Sequence, residues 1–108
     1  MSSELDLFFV GSADKEFESD LSQAAQEKFA TVFTMMIAGL KPPLSDSKPL
    51  NGLGKGVYEL RKNGRPAYRC VYVVKDGTLY VLHAFSKTSG GTPKSHEETI
   101  KKRYKSIK

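Results

Sequence analysis

Residues Val57–Val74 read "VYELRKNGRPAYRCVYVV". Two β-rich runs flank an Asn63-Gly64 pair, a strong signal for a hairpin. Both runs carry an arginine, Arg61 in the first and Arg69 in the second, where a half-buried strand usually places Thr, Ser or Lys. A strict two-residue Asn-Gly loop puts Arg61 and Arg69 on opposite faces, because side chains alternate along a strand. A three- or five-residue loop puts them on the same face. The Arg65-Pro66 pair leaves room for the longer loop, since proline donates no ladder hydrogen bond.

The pattern extends outward from this hairpin. Thr78–Ser86 forms a third run after an Asp76-Gly77 turn signal, so Val57–Lys62, Ala67–Lys75 and Thr78–Ser86 make an antiparallel meander. Alternation assigns Tyr58, Leu60, Tyr68, Cys70, Tyr72, Val74, Tyr80, Leu82 and Ala84 to a helix-covered face. Val57, Glu59, Arg61, Arg69, Val71, Val73, Val81, His83 and Phe85 then take the other. Upstream, Leu5–Val10 is a short strand ended by Gly11, and Ser12 or Asp14 caps a helical turn through Phe17. The segment from Asp20 to Leu40 reads as one long helix. Leu21, Ala25, Phe29, Val32, Met36, Ile37 and Leu40 recur at steps of three and four, and Asp20 with Gln23 forms the capping pair. Lys41–Gly56 holds three prolines and three glycines and reads as a long loop. Downstream of a Gly-rich stretch, Thr92 caps a terminal helix with Pro93 at its first position. Glu97 and Glu98 stand early in that helix and basic residues late, as the helix dipole favours.

The expected fold is therefore α+β. N-terminal helices pack on a three- to four-stranded antiparallel sheet, a helix follows at the C-terminal end, and residues 1–108 form a single domain. Cys70 stands alone in the sequence, so no internal disulfide forms. It lies in an apolar strand, where a buried, inert thiol is expected, and this usage fits a reducing cytoplasm. No basic segment followed by an apolar run opens the chain, and no apolar stretch approaches the ~20 residues of a bilayer span.

The net charge is +5, but it is polarised. Residues 1–27 hold seven acids and one base, Lys15, whereas most basic groups follow Lys55. Such a basic half suits an anionic partner. One Cys and two His do not make a structural zinc site, and neither a P-loop nor a nucleophile elbow is present. What the residues do offer is a set of cations on or beside the sheet: Arg61, Arg69 and Lys87, with Lys94 nearby. Guanidinium groups on a rigid sheet grip phosphate in a bidentate manner. Cleavage of RNA by its own 2′-hydroxyl passes through a transition state with added negative charge, which fixed cations stabilise. His83 and His96 are the side chains whose type titrates near neutrality. The same arginines also fit a solvated sheet face on which they pair with Glu59 and other acids. His83 reads as a packed sheet residue.

"GVYELR", then "AYRCVYVVKDGTLYVLHAFSKT", then "TPKSHEETIKKR" together resemble the RelE/ParE superfamily of toxins, in its phage-derived HigB-like branch. The resemblance runs from about Leu50 to Arg103. It implies a microbial RNase-type fold and the toxin of a type II toxin–antitoxin pair, a metal- and cofactor-free endoribonuclease that cleaves messenger RNA on the ribosome in the cytoplasm. It also implies a cognate antitoxin, usually of helix-turn-helix type. The family arginine after tyrosine falls on Arg69, the basic residue after the last strand on Lys87, and the arginine closing the preceding strand on Arg61. Two positions depart from the RelE pattern. Val57 and Glu59 stand where lysines line the strand, and His96 stands where a tyrosine opens the terminal helix. The expected roles are phosphate binding by Arg69 and Lys87, positioning by Arg61, proton transfer by His96 or Glu59, and further RNA contacts from Lys55, Arg65 and Lys94. A ParE-like gyrase poison, or an inactive antitoxin-binding relative, shares this fold and is the alternative.

Overall fold

The computed structural model describes residues 4–42, 46–50, 52–87 and 93–107. Its elements are β1 (Asp6–Phe9), α1 (Ala13–Asp20), α2 (Gln23–Ile37), β2 (Ser47–Pro49), β3 (Val57–Lys62), β4 (Ala67–Lys75), β5 (Thr78–Lys87) and α3 (Lys94–Ser106). The strands form one sheet in the order β1-β5-β4-β3-β2. β1 runs parallel to β5, and the other pairings are antiparallel. The α+β class holds, with five strands rather than three or four. The unforeseen strand is β2, inside the stretch read as a loop. It is three residues long and ends in Pro49, which an edge strand tolerates because nothing beyond it requires a donor.

The helical region differs from the single helix expected over Asp20–Leu40. Leu21 is extended (φ −106°, ψ 143°), so the chain turns there and splits into α1 and α2. Ser22, not Asp20, caps α2, its Oγ accepting from the Ala25 N–H at 3.1 Å. Ala25, Phe29, Val32 and Met36 face the core as the stripe predicts, joined by Phe33. Leu40 does not, because the helix has already ended. Gly39 takes φ 93°, its N–H bonding Met36 O and that of Leu40 bonding Met35 O, a Schellman closure. The Thr92 cap lies outside the described residues. Pro93 occupies the cap position itself, its carbonyl accepting from the N–H groups of His96 and Glu97.

Both sheet faces are covered. α1 and α2 lie on one, over Leu60, Cys70, Tyr72, Leu79, Val81 and Ala84. α3 lies on the other, where Ile100 meets Val57, Val71, Val73, Leu82 and Phe85. Strict alternation misplaces three residues of β5. Val81 belongs with α2, whereas Leu82 and Tyr80 belong with α3. The cause is a bulge: Val71 pairs with His83 but Tyr72 with Val81, so Leu82 is the extra residue and the strand changes phase there. The two turns follow their sequence signals. Asp76 and Gly77 both take positive φ (51° and 78°) in a two-residue hairpin loop. The β3–β4 connection is the longer one, with Lys62 paired to Tyr68 across it.

Candidate functional site

That longer connection decides the site. It sets Arg61 directly opposite Arg69, and the next ladder sets Arg69 opposite Phe85 and Ala67 opposite Lys87. Arg61, Arg69, Phe85, Lys87 and Glu59 therefore share the face that also carries α3. Arg69 and Glu59 are buried, at 6% and 5% exposure. The Arg69 Nε lies 3.7 Å from Glu59 Oε2, and its Nη1 donates to the Tyr68 carbonyl at 2.9 Å. Among the described residues, Arg61, Arg69 and Lys87 thus stand beside the Glu59 carboxylate. Burial lowers the proton affinity of the Lys87 ammonium, the charges of Arg69, Arg61 and Lys48 lower it further, and Glu59 opposes them. Burial acts on Arg69 in the same direction, with Glu59 opposing and Arg61 adding to the effect. The guanidinium stays charged, so the cost of the crowding falls on the solvation of the cations rather than on their ionisation. Glu59 Oε1, Arg61 Nε and Arg69 Nε make no hydrogen bond among the described residues.

A second cluster adjoins the first. Glu16 reaches from α1 around the edge that β1 vacates when it ends at Phe9. Its Oε1 accepts from His83 Nδ1 at 2.8 Å and from Arg103 Nη1 at 2.8 Å, and its Oε2 accepts from Arg103 Nη2 at 2.9 Å. Arg103 Nη1 also donates to the carbonyl of Leu82, the bulge residue, at 2.9 Å. On the far side of the ring, His83 Nε2 lies 2.7 Å from His96 Nδ1. Burial alone would raise the Glu16 carboxyl, but the hydrogen bonds from Arg103 and His83, with their charges, hold it below its ordinary value. His83 is lowered: burial dominates, the Glu16 hydrogen bond and charge oppose it, and the His96 and Arg103 charges add to it. Gly11 makes room for this arrangement. It takes φ 57°, and a Cβ there would come 3.2 Å from Arg103 Nε.

Phe85 joins the clusters. Its ring stacks on His96 at 4.2 Å and 15°, and on His83 at 5.2 Å and 28°. Because Phe85 is the strand partner of Arg69, the half-buried His96 sits over the same floor as the cations. Of the sequence-derived candidates, Arg61, Arg69, Lys87 and Glu59 come together, with His96 beside them. Arg65 is exposed at the hairpin tip and Lys94 is exposed at the start of α3. Lys55 stands apart. It precedes β3 by two residues, roughly 20 Å of extended chain from Arg61, and its carbonyl accepts from Tyr104 Oη at 3.4 Å. His83 is packed as expected, yet it is also the centre of a polar network. Glu16 and Arg103 carry no signal in the sequence that would have named them. Cys70 is fully buried, and burial raises its thiol out of the thiolate range. A separate apolar groove of about 640 Å³, lined by Met36, Pro42, Pro49, Tyr58, Tyr72 and Val74, lies on the α2 side of the sheet, away from this chemistry. Among the described residues no helix is long and apolar enough to cross a membrane, and no three His, Cys, Asp or Glu groups converge as metal ligands would.

A family model described as "Phage derived protein Gp49-like (DUF891)" matches residues 16–105, a span that holds every residue of both clusters. No curated protein matches the chain.

Proposed function

The chain belongs to the phage-derived Gp49-like family, and on that premise we propose that it is the toxin of a type II toxin–antitoxin pair, an endoribonuclease that cuts messenger RNA on the ribosome. The observation that carries the reading is the register of β3, β4 and β5, which gathers Arg61, Arg69 and Lys87 on one face beside the stacked Phe85–His96 pair. Such a face holds a phosphodiester and stabilises the extra charge of its transition state. The 2′-hydroxyl attacks the adjacent phosphorus and the 5′-oxygen leaves, so the RNA supplies the nucleophile. Arg69 and Lys87 bind the non-bridging oxygens, and Arg61 positions the phosphate. Glu59 is buried against Arg69, which suits it to orienting that guanidinium. His96 is half-buried at the rim, which suits it to moving the proton. The partners in this reading are the ribosome with its messenger RNA, and a helix-turn-helix antitoxin that silences the toxin in the cytoplasm.

The test is a cleavage assay on ribosomes engaged with a defined message, with free RNA and DNA gyrase assayed in parallel. Cut message ending in 2′,3′-cyclic phosphate and 5′-hydroxyl groups, lost in Arg69→Ala, is the expected result. Intact message together with inhibited gyrase would replace the nuclease by a gyrase poison on the same fold.

A further inference from the structure

The hydrogen bonds around His83 have a direction, and that direction reaches His96. The Glu16 carboxylate has no proton to give, and its bidentate bond with Arg103 keeps it ionised. A ring nitrogen 2.8 Å from its Oε1 must therefore bring the hydrogen, which fixes it on His83 Nδ1. Arg103 Nη1 also approaches this nitrogen, at 3.4 Å, but its two hydrogens already point to Glu16 Oε1 and the Leu82 carbonyl. A neutral His83 then presents a lone pair on Nε2. His96 Nδ1 stands 2.7 Å away and must donate to it.

We propose that Glu16 and His83 are positioning residues that hold the resting His96 with its hydrogen on Nδ1 and its lone pair on the outer Nε2, ready to accept one proton. Free imidazole side chains favour the opposite tautomer, so this arrangement is imposed by the fold. The capacity of the pair is one added proton. With both rings doubly protonated, two N–H groups would confront each other across 2.7 Å. Among the described residues, the charged groups against the pair are Glu16 from α1 and Arg103 from α3, while Arg69 of β4 is the strand partner of Phe85, the ring that stacks on both histidines. The burial that disfavours a charged His83 agrees with a neutral resting pair.

The identity of the proton donor rests on the nuclease reading, whereas the tautomer does not. In that reading the 2′-O–H bond breaks and its hydrogen goes to His96 Nε2. The oxygen's electron pair forms the new O–P bond, and the 5′-oxygen leaves with the old one and takes a proton from water. The His96 Nδ1 hydrogen can pass to His83 Nε2, which moves the positive charge next to Glu16.

The experiment is long-range ¹H–¹⁵N NMR of the full chain labelled at histidine nitrogens, without RNA, above the titration of the pair. The expected spectrum shows hydrogen on Nδ1 of both rings. In His83→Phe, which keeps an aromatic ring against Phe85, His96 should return to a mixture dominated by hydrogen on Nε2. An Nε2-protonated His96 in the wild-type chain would overturn the proposal, with no need for any variant to fold. So would an unchanged His96 spectrum in His83→Phe. A second measurement is the pH profile of message cleavage. Glu16→Gln should lower the rate roughly 10²-fold or more and move the profile to lower pH, because the anion that stabilises the charged pair is gone. Cleavage that keeps its rate and profile in Glu16→Gln would also overturn it. If the NMR pattern holds while the wild-type chain leaves every message intact, the wiring stands and the nuclease reading alone falls.

Discussion

Arg61 and Arg69 face each other as direct partners across β3 and β4. Like charges so placed oppose folding. The pair is tolerated because Glu59 lies beside Arg69 and because Arg61 is only half-buried. Arg61→Thr should therefore raise stability by about 0.5 kcal/mol, read as a higher urea midpoint, while cleavage falls. A variant that lost both stability and activity would show that Arg61 is needed for packing rather than for charge.

Arg69→Ala should cost roughly 10²–10³ in single-turnover cleavage rate, the scale of losing one well-placed transition-state donor. Expression of the wild-type chain without an antitoxin should arrest growth, and Arg69→Ala at equal abundance should not. Equal toxicity from the two would remove this arginine from the mechanism.

Stability should fall with acid in two stages. His83 binds its proton less readily in the fold than in the unfolded chain, where its value is ~6.5. The unfolded state therefore takes up more protons just below that pH, and stability declines as pH drops through this range. The Glu16 carboxyl is held below its ordinary value, so its contribution is complete above ~4.3 and is lost as pH falls through the folded value. Melting temperatures across this interval should show both stages in the wild-type chain. His83→Phe should remove the upper stage and keep the lower one.

Binding to ribosomes should weaken steeply as salt rises, because each phosphate neutralised releases counterions. Lys94→Ala and Arg65→Ala, both at exposed positions, should lower affinity and flatten the salt slope without altering the rate of bound complexes. An affinity indifferent to salt would remove the basic half of the chain from recognition.

Ser22→Ala should destabilise the protein by about 1 kcal/mol, since the Ala25 N–H loses its partner. Asp20→Ala should change little, because α1 ends there and its side chain caps nothing in α2. Comparison of the two urea midpoints checks the boundary between the helices.

The hairpins, the α2 stripe and the cationic cluster were legible because each rests on short-range rules. Asn63-Gly64 marked the turn and Arg65-Pro66 left room for a long one; the structure takes the long one, which sets Arg61 opposite Arg69. The split at Leu21-Ser22 was hidden because Leu21 fits the helical stripe from outside the helix. β2 was hidden by its shortness and its proline. Glu16 was beyond reach for another reason. Its partners lie 67 and 87 residues away, and nothing local marks an acid on a short helix as the counter-charge of a distant arginine. His83 was read by its apolar neighbours, which located it correctly and said nothing of what its two nitrogens touch.

The extra residue at Leu82 divides β5 into two stretches that answer to different demands. Before it, Leu79 and Val81 keep step with the α2 core. After it, His83, Phe85 and Lys87 keep step with the cations and α3. One strand thus works as two rulers joined by an offset. Leu79 and Val81 can change with the α2 core, and His83, Phe85 and Lys87 with the cationic face, without either set forcing the other to turn over. Removing Leu82 would cancel the offset, so that aligning one stretch would throw the other to the wrong side of the sheet.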